Sequence, residues 1–590
     1  GDVYKRQFLN RLVKEAKNEG NDKKAMEIRA IIKREHVKNK WRQINRARQK
    51  RYGKSIDKVT IDLDGDTIIL DTQDPLEDAI MSNNSKRFTL SYGSPLLDGS
   101  QLHKDLGCLA DTDAAKQILL GTYEYPPGTD PDTISMLNLL AHNFRKHRTT
   151  PLKFSITTKD FIDYWKGRRE ATASYFSGLH FGHYKAASAS PFLSSIHAKT
   201  IELAFTRMTP LQRWCVGLSV MIEKIPGCIK VDKLRALLFM EADFNFANKV
   251  YFGKRMIAAA NKSIISKEQF AVKDNSSVEV ALCRLLFFDI VRQRKYNAAL
   301  GSYDAAQCYD CMTHSFISLA AQSVGTPTAM IGTMLLAIQC MQFHIRTAYG
   351  DSKRTYGSTD RPFQGSCQGN GAAPALWLLV SAYLIAHMRS KGHYVTITSA
   401  ISCSILCYVG LWFVDDGDIP TFAQEADETA TSVACRHQAA VTCWSKSLGV
   451  TGGALKPAKC FWYPMNWGWR NGTGYLKPAS ATHADITIQT SKSSTSITKL
   501  NPSDFKEVMG VVQNPLGQMS GQLSKLKDQV TNWLPLVSNG YLQPRLTYEA
   551  FWGTLWPALR YSLPCLSLTE AEADEPVSYT HLRAHETRLN

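Results

Sequence analysis

The sequence predicts an α+β fold in which an antiparallel sheet is flanked by helices. Two apolar runs rich in β-branched and aromatic residues, Ser404–Val414 and Ile419–Phe422, flank an Asp-Gly pair, and this pattern is typical of an antiparallel hairpin. The segment Asn297–Tyr303 is predicted as a half-buried strand, and Ala375–Met388 as an apolar helix that follows a Gly-rich loop. Strands and helices therefore interleave along the middle of the chain.

The N-terminal part is predicted to be helical and basic. Phe8–Lys54 shows an apolar stripe at helical spacing, and Lys33–Arg51 within it carries nine Lys or Arg residues against one acid, Glu35. This charge is sufficient to contact the phosphates of RNA or DNA, although a solvated helix face explains it equally well. Val59–Leu70 then alternates around Asp64-Gly65, which predicts a hairpin.

Length and composition favour a multidomain protein with a polyanionic partner. The chain has 590 residues, of which 44% are hydrophobic, and its net charge is +17. Such a length predicts about two to four domains, and the positive charge favours nucleic acid over the alternative of a merely basic soluble protein. The 14 cysteines lack paired spacing, which indicates a reduced, intracellular compartment. The most apolar segment, 372–388, is too short for a membrane span, so no membrane partner is expected.

Both termini are set aside from the fold prediction. Residues 1–7 and 576–590 resemble translated sequencing-adaptor DNA, and each contributes +1, which leaves a net charge of +15. The chain is therefore expected to be an internal fragment of a longer open reading frame.

Two acidic sites are the strongest candidates for chemistry. Asp415 and Asp416 are adjacent at the predicted hairpin turn, and Asp304 follows the predicted strand that ends at Tyr303. Carboxylates this close repel one another unless a cation lies between them, and magnesium is bound in proteins by a few carboxylates together with phosphate oxygens. An ordinary hairpin with solvated acids remains the alternative for the first pair.

Four ordered segments carry a resemblance to a known family. Asp304–Asp310, Gln368–Pro374, Phe413–Asp416 and Leu455–Lys459 resemble motifs A, B, C and D of reverse transcriptases, in the form typical of non-LTR (LINE-type) retrotransposons. The motifs are Asp-x-x-x-Ala-Phe-Asp, Gln-Gly-x-x-x-Ser-Pro, aromatic-x-Asp-Asp and Leu-x-Pro-x-Lys. Cys308 and Ala373 depart from the pattern, but neither departure removes an acid. Weaker likenesses at 233–238 and 508–511 extend the similarity to about residues 153–523.

The resemblance implies a right-hand polymerase of fingers, palm and thumb. The corresponding regions are listed here: an adaptor-like stretch (1–7), a basic helical extension and linker (8–150), fingers (151–300), palm with motifs A to D (301–475), a connection with motif E (476–518), a thumb-like helical region (519–575) and a second adaptor-like stretch (576–590).

The resemblance also implies a role for individual residues. Two Mg²⁺ ions, with Mn²⁺ as a substitute, are expected at Asp304, Asp415, Asp416 and the Ala305 carbonyl. The expected nucleotide-binding residues are Arg235, Lys224 (or Lys230), Tyr309, Gln368 and Gly369. Tyr309 would exclude a 2′-hydroxyl, with core packing as its alternative, and Lys459 would donate a proton to pyrophosphate, with a surface lysine as its alternative.

The implied activity is RNA-directed DNA polymerisation. The expected partners are an RNA template, a DNA primer or target, deoxynucleotides and other domains of the same polyprotein, such as an endonuclease, in the nucleus or the cytoplasm. An RNA-dependent RNA polymerase remains an alternative because Asp310 offers a second acid, which otherwise caps the helix predicted at 314–322. The other alternative is a catalytically decayed palm that binds nucleic acid.

Overall fold

A computed structural model describes residues 2–47, 55–63, 65–147, 152–170, 177–306, 308–357, 361–399, 401–489, 493–538 and 542–572. The chain divides into two compact units, one formed by residues 1–52 with 505–590 and the other by residues 53–504. Helices and strands are mixed in both, so the predicted α+β class is confirmed.

The elements are numbered in chain order. Within the described ranges the α-helices are α1 (Asp2–Asn18), α2 (Asp22–Ala47), α3 (Gln73–Arg87), α4 (Gln101–Leu106), α5 (Asp113–Leu120), α6 (Pro131–His147), α7 (Thr158–Lys166), α8 (Phe181–Ala187), α9 (Pro191–Thr206), α10 (Ala242–Val250), α11 (Ile257–Ser263), α12 (Ser277–Arg294), α13 (Cys308–Cys311), α14 (His314–Ser323), α15 (Thr328–Gln339), α16 (Ala373–Ser390), α17 (Ala430–Val450), α18 (Ser520–Ser538), α19 (Pro544–Ala550) and α20 (Trp556–Ser562). The strands in the same ranges are β1 (Val59–Leu63), β2 (Asp66–Leu70), β3 (Val216–Glu223), β4 (Leu234–Phe239), β5 (Ala298–Asp304), β6 (Gln342–Thr347), β7 (Gly350–Asp351), β8 (Tyr356–Gly357), β9 (Val395–Thr398), β10 (Ile405–Tyr408), β11 (Leu411–Phe413), β12 (Asp416–Phe422), β13 (Phe461–Met465), β14 (Trp467–Arg470), β15 (Thr473–Leu476), β16 (Thr487–Gln489), β17 (Ser494–Ser496), β18 (Thr498–Lys499), β19 (Lys506–Val508) and β20 (Val511–Gln513).

One five-stranded sheet in the larger unit carries the acidic residues. Its order is β11-β12-β5-β13-β18, antiparallel except where β18 joins β13 in parallel. Strand β5 lies in the middle, with β12 on one side and β13 on the other, and most of its side chains are buried. The half-buried strand predicted here is therefore a central one, because both of its edges are paired.

The larger unit contains a second sheet and an apolar core that includes helices α14 and α16. The order of this sheet is β4-β3-β6-β7, with β8 also paired to β6, and β3 runs parallel to β6. Helices α14 and α16 are almost wholly buried in the apolar core of this unit. The Gly-rich segment before α16 connects this core to the edge of β4, since the Leu238 amide donates to the Gln368 carbonyl at 2.8 Å.

The smaller unit brings the two ends of the chain together. Ile44 of α2 is buried against Val530 and Trp533 of α18, and Trp41 packs on the π-helical turn 551–555 that joins α19 to α20. Gly553 allows this approach, because a Cβ there would lie 2.3 Å from the Trp41 ring. The aromatic C-terminal helices therefore pack against the N-terminal basic helix, which their composition alone did not identify.

Several predicted boundaries shift for local reasons. The helix predicted over Phe8–Lys54 is two helices, broken at 19–21, and its last part lies outside the described residues. Helix α8 begins at Phe181, and the His180 side chain caps it by accepting from the Gly182 amide. The apolar run Ser404–Val414 forms two strands, β10 and β11, and β10 is mostly exposed because it pairs only with β9.

Candidate active site

The three predicted acids meet where β5 and β12 pair. Asp304 is the last residue of β5 and lies directly opposite Asp416, the first residue of β12. Phe413 pairs with Asp416, so the hairpin turn consists of Val414 and Asp415. The three carboxylates therefore occupy one end of the sheet, as opposite and adjacent positions.

The turn lies two residues earlier than the Asp-Gly pair predicted. Gly417 is needed in the strand instead, because a Cβ there would lie 2.4 Å from the Trp412 indole nitrogen. Val414 takes the left-handed backbone conformation of the turn, with φ at 59°. The position thus carries strain that Asn or Gly would avoid, since a β-branched residue rarely adopts this conformation.

The carboxylates repel one another. The pKa of Asp416 is raised to about 6, first because the crowded cleft removes part of its hydration and then because Asp415 and Asp304 repel its charge. Burial is also the main reason that the pKa of Asp415 is raised, and repulsion from Asp304 adds to it. A cation bound between these carboxylates would therefore stabilise their charged forms.

Lys459 provides a positive charge at this point. It ends a short 3₁₀ turn, Pro457–Lys459, just before β13, and its ammonium group donates to Asp304 in an ion pair. That hydrogen bond is the largest cause of the raised pKa of Lys459, which keeps the group charged. The ion pair thus joins Lys459 to Asp304, two residues that lie in separate segments of the sequence.

The acids present a donor set that fits divalent metal ions. Carboxylate oxygens accept without donating, and magnesium prefers oxygen ligands. The bridge between Ala305 and Leu455 is made by the Ala306 amide and the Asp304 carbonyl, so the Ala305 carbonyl faces away from Leu455. In the part of the chain that the structure describes, no three acidic, His or Cys groups already enclose a common metal position. The carboxylates are therefore neighbours that repel one another rather than a closed cage.

A group of cations borders the acids. The pKa of Lys224 is lowered, first by burial and then by four nearby positive charges. These belong to Arg87, Lys456, Arg235 and Lys459. Arg235 is an exposed residue of β4, and its charge also acts on Asp415. Lys230, the other lysine predicted as a helper, instead forms an ion pair with Asp62 of β1. Lys224 is therefore the lysine near the acids, and sequence reasoning missed Arg87 and Lys456.

The Gly-rich segment lies against β4 rather than open to solvent on both sides. The Asn245 side-chain amide donates to the Gly369 carbonyl at 3.2 Å. A Cβ on Gly369 would lie 2.2 Å from the Leu238 carbonyl oxygen, and its φ is 125°. Gly369 is among the residues expected to bind the nucleotide, and the close backbone approach observed there is to the protein's own strand β4.

Tyr309 and Asp310 follow the motif A strand in α13. Tyr309 is half-buried, and burial together with the charges of Cys308 and Asp415 raises its pKa. Asp310 is buried and accepts a hydrogen bond from the Gln368 backbone, and burial raises its pKa to about 6. Helix α14 is preceded by Thr313, so Asp310 is not the cap that the sequence suggested.

A buried polar layer beneath the acids was not predicted. Arg284 of α12 donates to both oxygens of Asp418 at 3.0 and 2.9 Å, and both side chains are buried. Next to it, His437 bonds the Tyr303 hydroxyl at 2.8 Å and the Thr421 hydroxyl at 2.9 Å. The only sequence signal was the charged residue two positions after Asp416 in an apolar run, because its partner lies on a distant helix.

The comparisons with known proteins add no family. Neither a protein-family model nor a curated protein matches the chain. Within the described ranges, no helix combines the length and the apolar character needed to cross a membrane.

Proposed function

We propose that this protein is an RNA-directed DNA polymerase of the non-LTR retrotransposon type, which adds deoxynucleotides to a primer 3′-hydroxyl on an RNA template. The observation that carries the proposal is the pairing of Asp304 with Asp416 across two strands, with Asp415 in the adjoining turn and Lys459 paired to Asp304. All four residues lie in segments that resemble reverse transcriptase motifs A, C and D. Their convergence supports a single reaction centre.

The acids are the proposed ligands of two Mg²⁺ ions. Asp304, Asp415, Asp416 and the Ala305 carbonyl would hold them, and Mn²⁺ would substitute. Bound there, the ions would stabilise charge on the attacking and leaving oxygens of a phosphoryl transfer. The raised pKa values of Asp415 and Asp416, caused first by burial and then by repulsion from neighbouring carboxylates, support this assignment, because a bound cation would stabilise the charged forms.

The neighbouring cations are the proposed triphosphate site. Arg235 offers a guanidinium fork and Lys224 a mobile ammonium group, and the two charges lie close enough to affect one another. A nucleoside triphosphate brings about four negative charges, which would stabilise cations that now repel. Lys459 would donate its proton to the departing pyrophosphate, and Tyr309 would contact the sugar and exclude a 2′-hydroxyl.

The proposal extends to nucleic acid along α2. Its exposed bases include a stripe in which each residue follows the last by four positions, listed here as Arg34, Lys38, Arg42 and Arg46. The stripe spans about 18 Å at 1.5 Å per residue, which is enough to reach several phosphates. Trp41 and Ile44 pack on the C-terminal helices, and all four bases of the stripe remain exposed.

The right-hand architecture belongs to the same proposal. Fingers at 151–300, a palm at 301–475 and a thumb-like region at 519–575 are assigned by resemblance, and the antiparallel part of the sheet around β5 is in keeping with a palm. Nuclear or cytoplasmic location, a DNA target and a polyprotein with an endonuclease rest on the resemblance alone.

Primer extension on an RNA template tests the proposal. The chain is assayed with Mg²⁺ and either deoxynucleotides or ribonucleotides, beside Asp415→Asn and Tyr309→Ala. We expect deoxynucleotide extension that Asp415→Asn reduces by about 10² to 10³-fold, as the loss of several kcal/mol of charge stabilisation implies. Ribonucleotides should be incorporated only by Tyr309→Ala.

A matched control shows whether removing any surface carboxylate lowers extension, or only one at the proposed site. Asp113→Asn removes an exposed acid of α5 that pairs with Lys116, and extension should be unchanged. Ribonucleotide incorporation by the unmodified chain would instead identify an RNA polymerase. If RNA binds but neither nucleotide is incorporated, the protein is a nucleic-acid-binding palm without catalysis and the proposal is refuted.

A further inference from the structure

The hairpin turn that carries the acids depends on a residue outside all four motifs. Gln269 lies between α11 and α12 and is fully buried, with 0% of its surface exposed. Its side-chain oxygen accepts from the Val414 amide at 3.2 Å, and its side-chain nitrogen approaches the Val414 carbonyl at 3.5 Å. One amide group therefore faces both polar backbone atoms of the same turn residue.

A second side chain contacts the same backbone. The Trp377 indole of α16 donates to the Val414 carbonyl at 2.6 Å. The Gln269 nitrogen also donates to the Ser381 hydroxyl at 3.1 Å, one helical turn further along α16. The helix that follows the Gly-rich loop is thereby linked to the turn between β11 and β12.

The main chain around Gln269 is itself aligned with the hairpin. The Trp412 amide donates to the Glu268 carbonyl at 2.9 Å, and the Phe270 amide donates to the Trp412 carbonyl at 2.7 Å. The Ala271 amide donates to the Gln269 side-chain oxygen at 3.2 Å, which restricts the orientation of that side chain. The backbone on both sides of Gln269 is therefore bonded to Trp412, and the Ala271 amide fixes the orientation of the Gln269 side chain.

Among the described non-glycine residues with positive φ, Val414 is the only β-branched one. Its φ of 59° lies in the left-handed region, which a β-branched side chain rarely adopts. Asp415 follows immediately, so relaxation of Val414 toward an ordinary conformation would rotate the next peptide and move the Asp415 carboxylate away from Asp416. The strain persists only where surrounding groups hold it.

We propose that Gln269 and Trp377 form a clamp that holds Val414 in its left-handed conformation and so keeps Asp415 beside Asp416. The assignment rests on the proposed function for its catalytic consequence, but the clamp itself is a structural property. Gln269 is a positioning residue, because it acts on the acids through the Val414 backbone and not on a substrate.

Two variants remove the hydrogen bonds of the clamp. Gln269→Met keeps the length and most of the volume of the side chain without its hydrogen bonds, and Trp377→Phe keeps an aromatic ring without the donor. In primer extension we expect each to lower kcat by about 10- to 100-fold with a change in KM below about threefold, as is typical when groups supporting a site are lost. Ser381→Ala is the matched control, because it removes a Gln269 partner and no contact to the turn.

A compensating variant identifies the mechanism. Glycine adopts positive φ without strain, so Val414→Gly makes the clamp less necessary. We expect the Gln269→Met/Val414→Gly double variant to have a kcat within about threefold of Val414→Gly alone, well short of the 10- to 100-fold loss that Gln269→Met causes in the unmodified chain. A purely structural role for Gln269 predicts no such recovery, because the packing defect at position 269 would remain.

Amide hydrogen exchange provides a readout that does not require activity. Peptides covering 411–418 should exchange at least about tenfold faster in Gln269→Met and in Trp377→Phe than in the unmodified chain, while peptides covering β3 and β4 remain unchanged. Unchanged exchange at 411–418 overturns the clamp, whether or not the protein polymerises. Faster exchange in a protein that shows no polymerisation leaves the clamp standing and refutes the proposed function instead. If Gln269→Met does not fold, Trp377→Phe decides the matter alone.

Discussion

Replacing Arg284 by methionine should strongly destabilise the larger unit. Arg284 and Asp418 are 1% and 3% exposed, and two hydrogen bonds of 3.0 and 2.9 Å join them. The guanidinium also lies 5.6 Å from the centres of the Phe288 and Phe461 rings. Met would preserve much of the volume but leave Asp418 as a buried charge without its cation. Removing one partner of such a pair costs about 3 to 5 kcal/mol.

A surface pair in the same unit provides the comparison. Arg346 and Asp351 are also joined by two bonds, of 2.6 and 2.8 Å, but their side chains are 34% and 33% exposed. Arg346→Met should therefore cost less than about 1 kcal/mol, because water and salt screen the pair. The double variant Arg284→Met/Asp418→Leu should recover much of the loss, since it leaves no charge unpaired.

Urea unfolding measures all of these changes. Each variant of the whole chain is unfolded at neutral pH, and the shift in midpoint at constant slope gives the change in the free energy of unfolding. The reasoning is refuted if Arg284→Met costs no more than Arg346→Met, or if the double variant is less stable than Arg284→Met.

Three further predictions concern other parts of the molecule. Burial lowers the pKa of His314 to about 4 and that of His437 to about 3, so both stay neutral when folded. As the pH falls below 6.5 the unfolded chain gains protons at these positions that the folded chain does not, and each His should lower stability by about 1 kcal/mol per pH unit. The difference between the acid-unfolding curves of the unmodified chain and His437→Gln isolates the contribution of His437 from that of the acids whose pKa is raised. Gly369→Ala should raise the KM for nucleotide and lower thermal stability, because its Cβ would lie 2.2 Å from the Leu238 carbonyl; an unchanged melting temperature would contradict the observed packing. Replacing the four bases of the α2 stripe by glutamine should reduce the salt dependence of single-stranded RNA binding. The slope of log K against log salt should become less steep by about 3, because the phosphate contacts of Arg34, Lys38, Arg42 and Arg46 are lost. An unchanged slope would show that RNA binds elsewhere.

Local patterns in the sequence were sufficient to find the main elements near the site. Apolar runs rich in β-branched and aromatic residues identified the hairpin strands, the half-buried segment 297–303 identified β5, and a longer apolar run identified α16. The hairpin between β11 and β12 is confirmed, but its turn was placed two residues too late. The Asp-Gly signal failed there because Gly417 accommodates the Trp412 ring, which is a packing requirement that no local pattern expresses.

The sequence predicted the acidic and basic residues of the candidate site but not the buried residues that hold them in position. Motif order selected Asp304, Asp415 and Lys459, and the structure brings them together. It did not select Gln269 or Arg284, because a buried Gln or Arg is recognisable only when its partner on another element is known.

The sequence by itself determined which elements form and which charged residues are available, because these follow from composition and from the spacing of apolar residues along a short stretch. Only the tertiary structure decided which of those residues meet. Asp304 faces Asp416 because strand pairing sets a register between distant segments, and Val414 holds a strained conformation because Gln269 and Trp377 bond its backbone. Such contacts depend on long-range packing, whose free energy belongs to several elements together and cannot be assigned from any one of them.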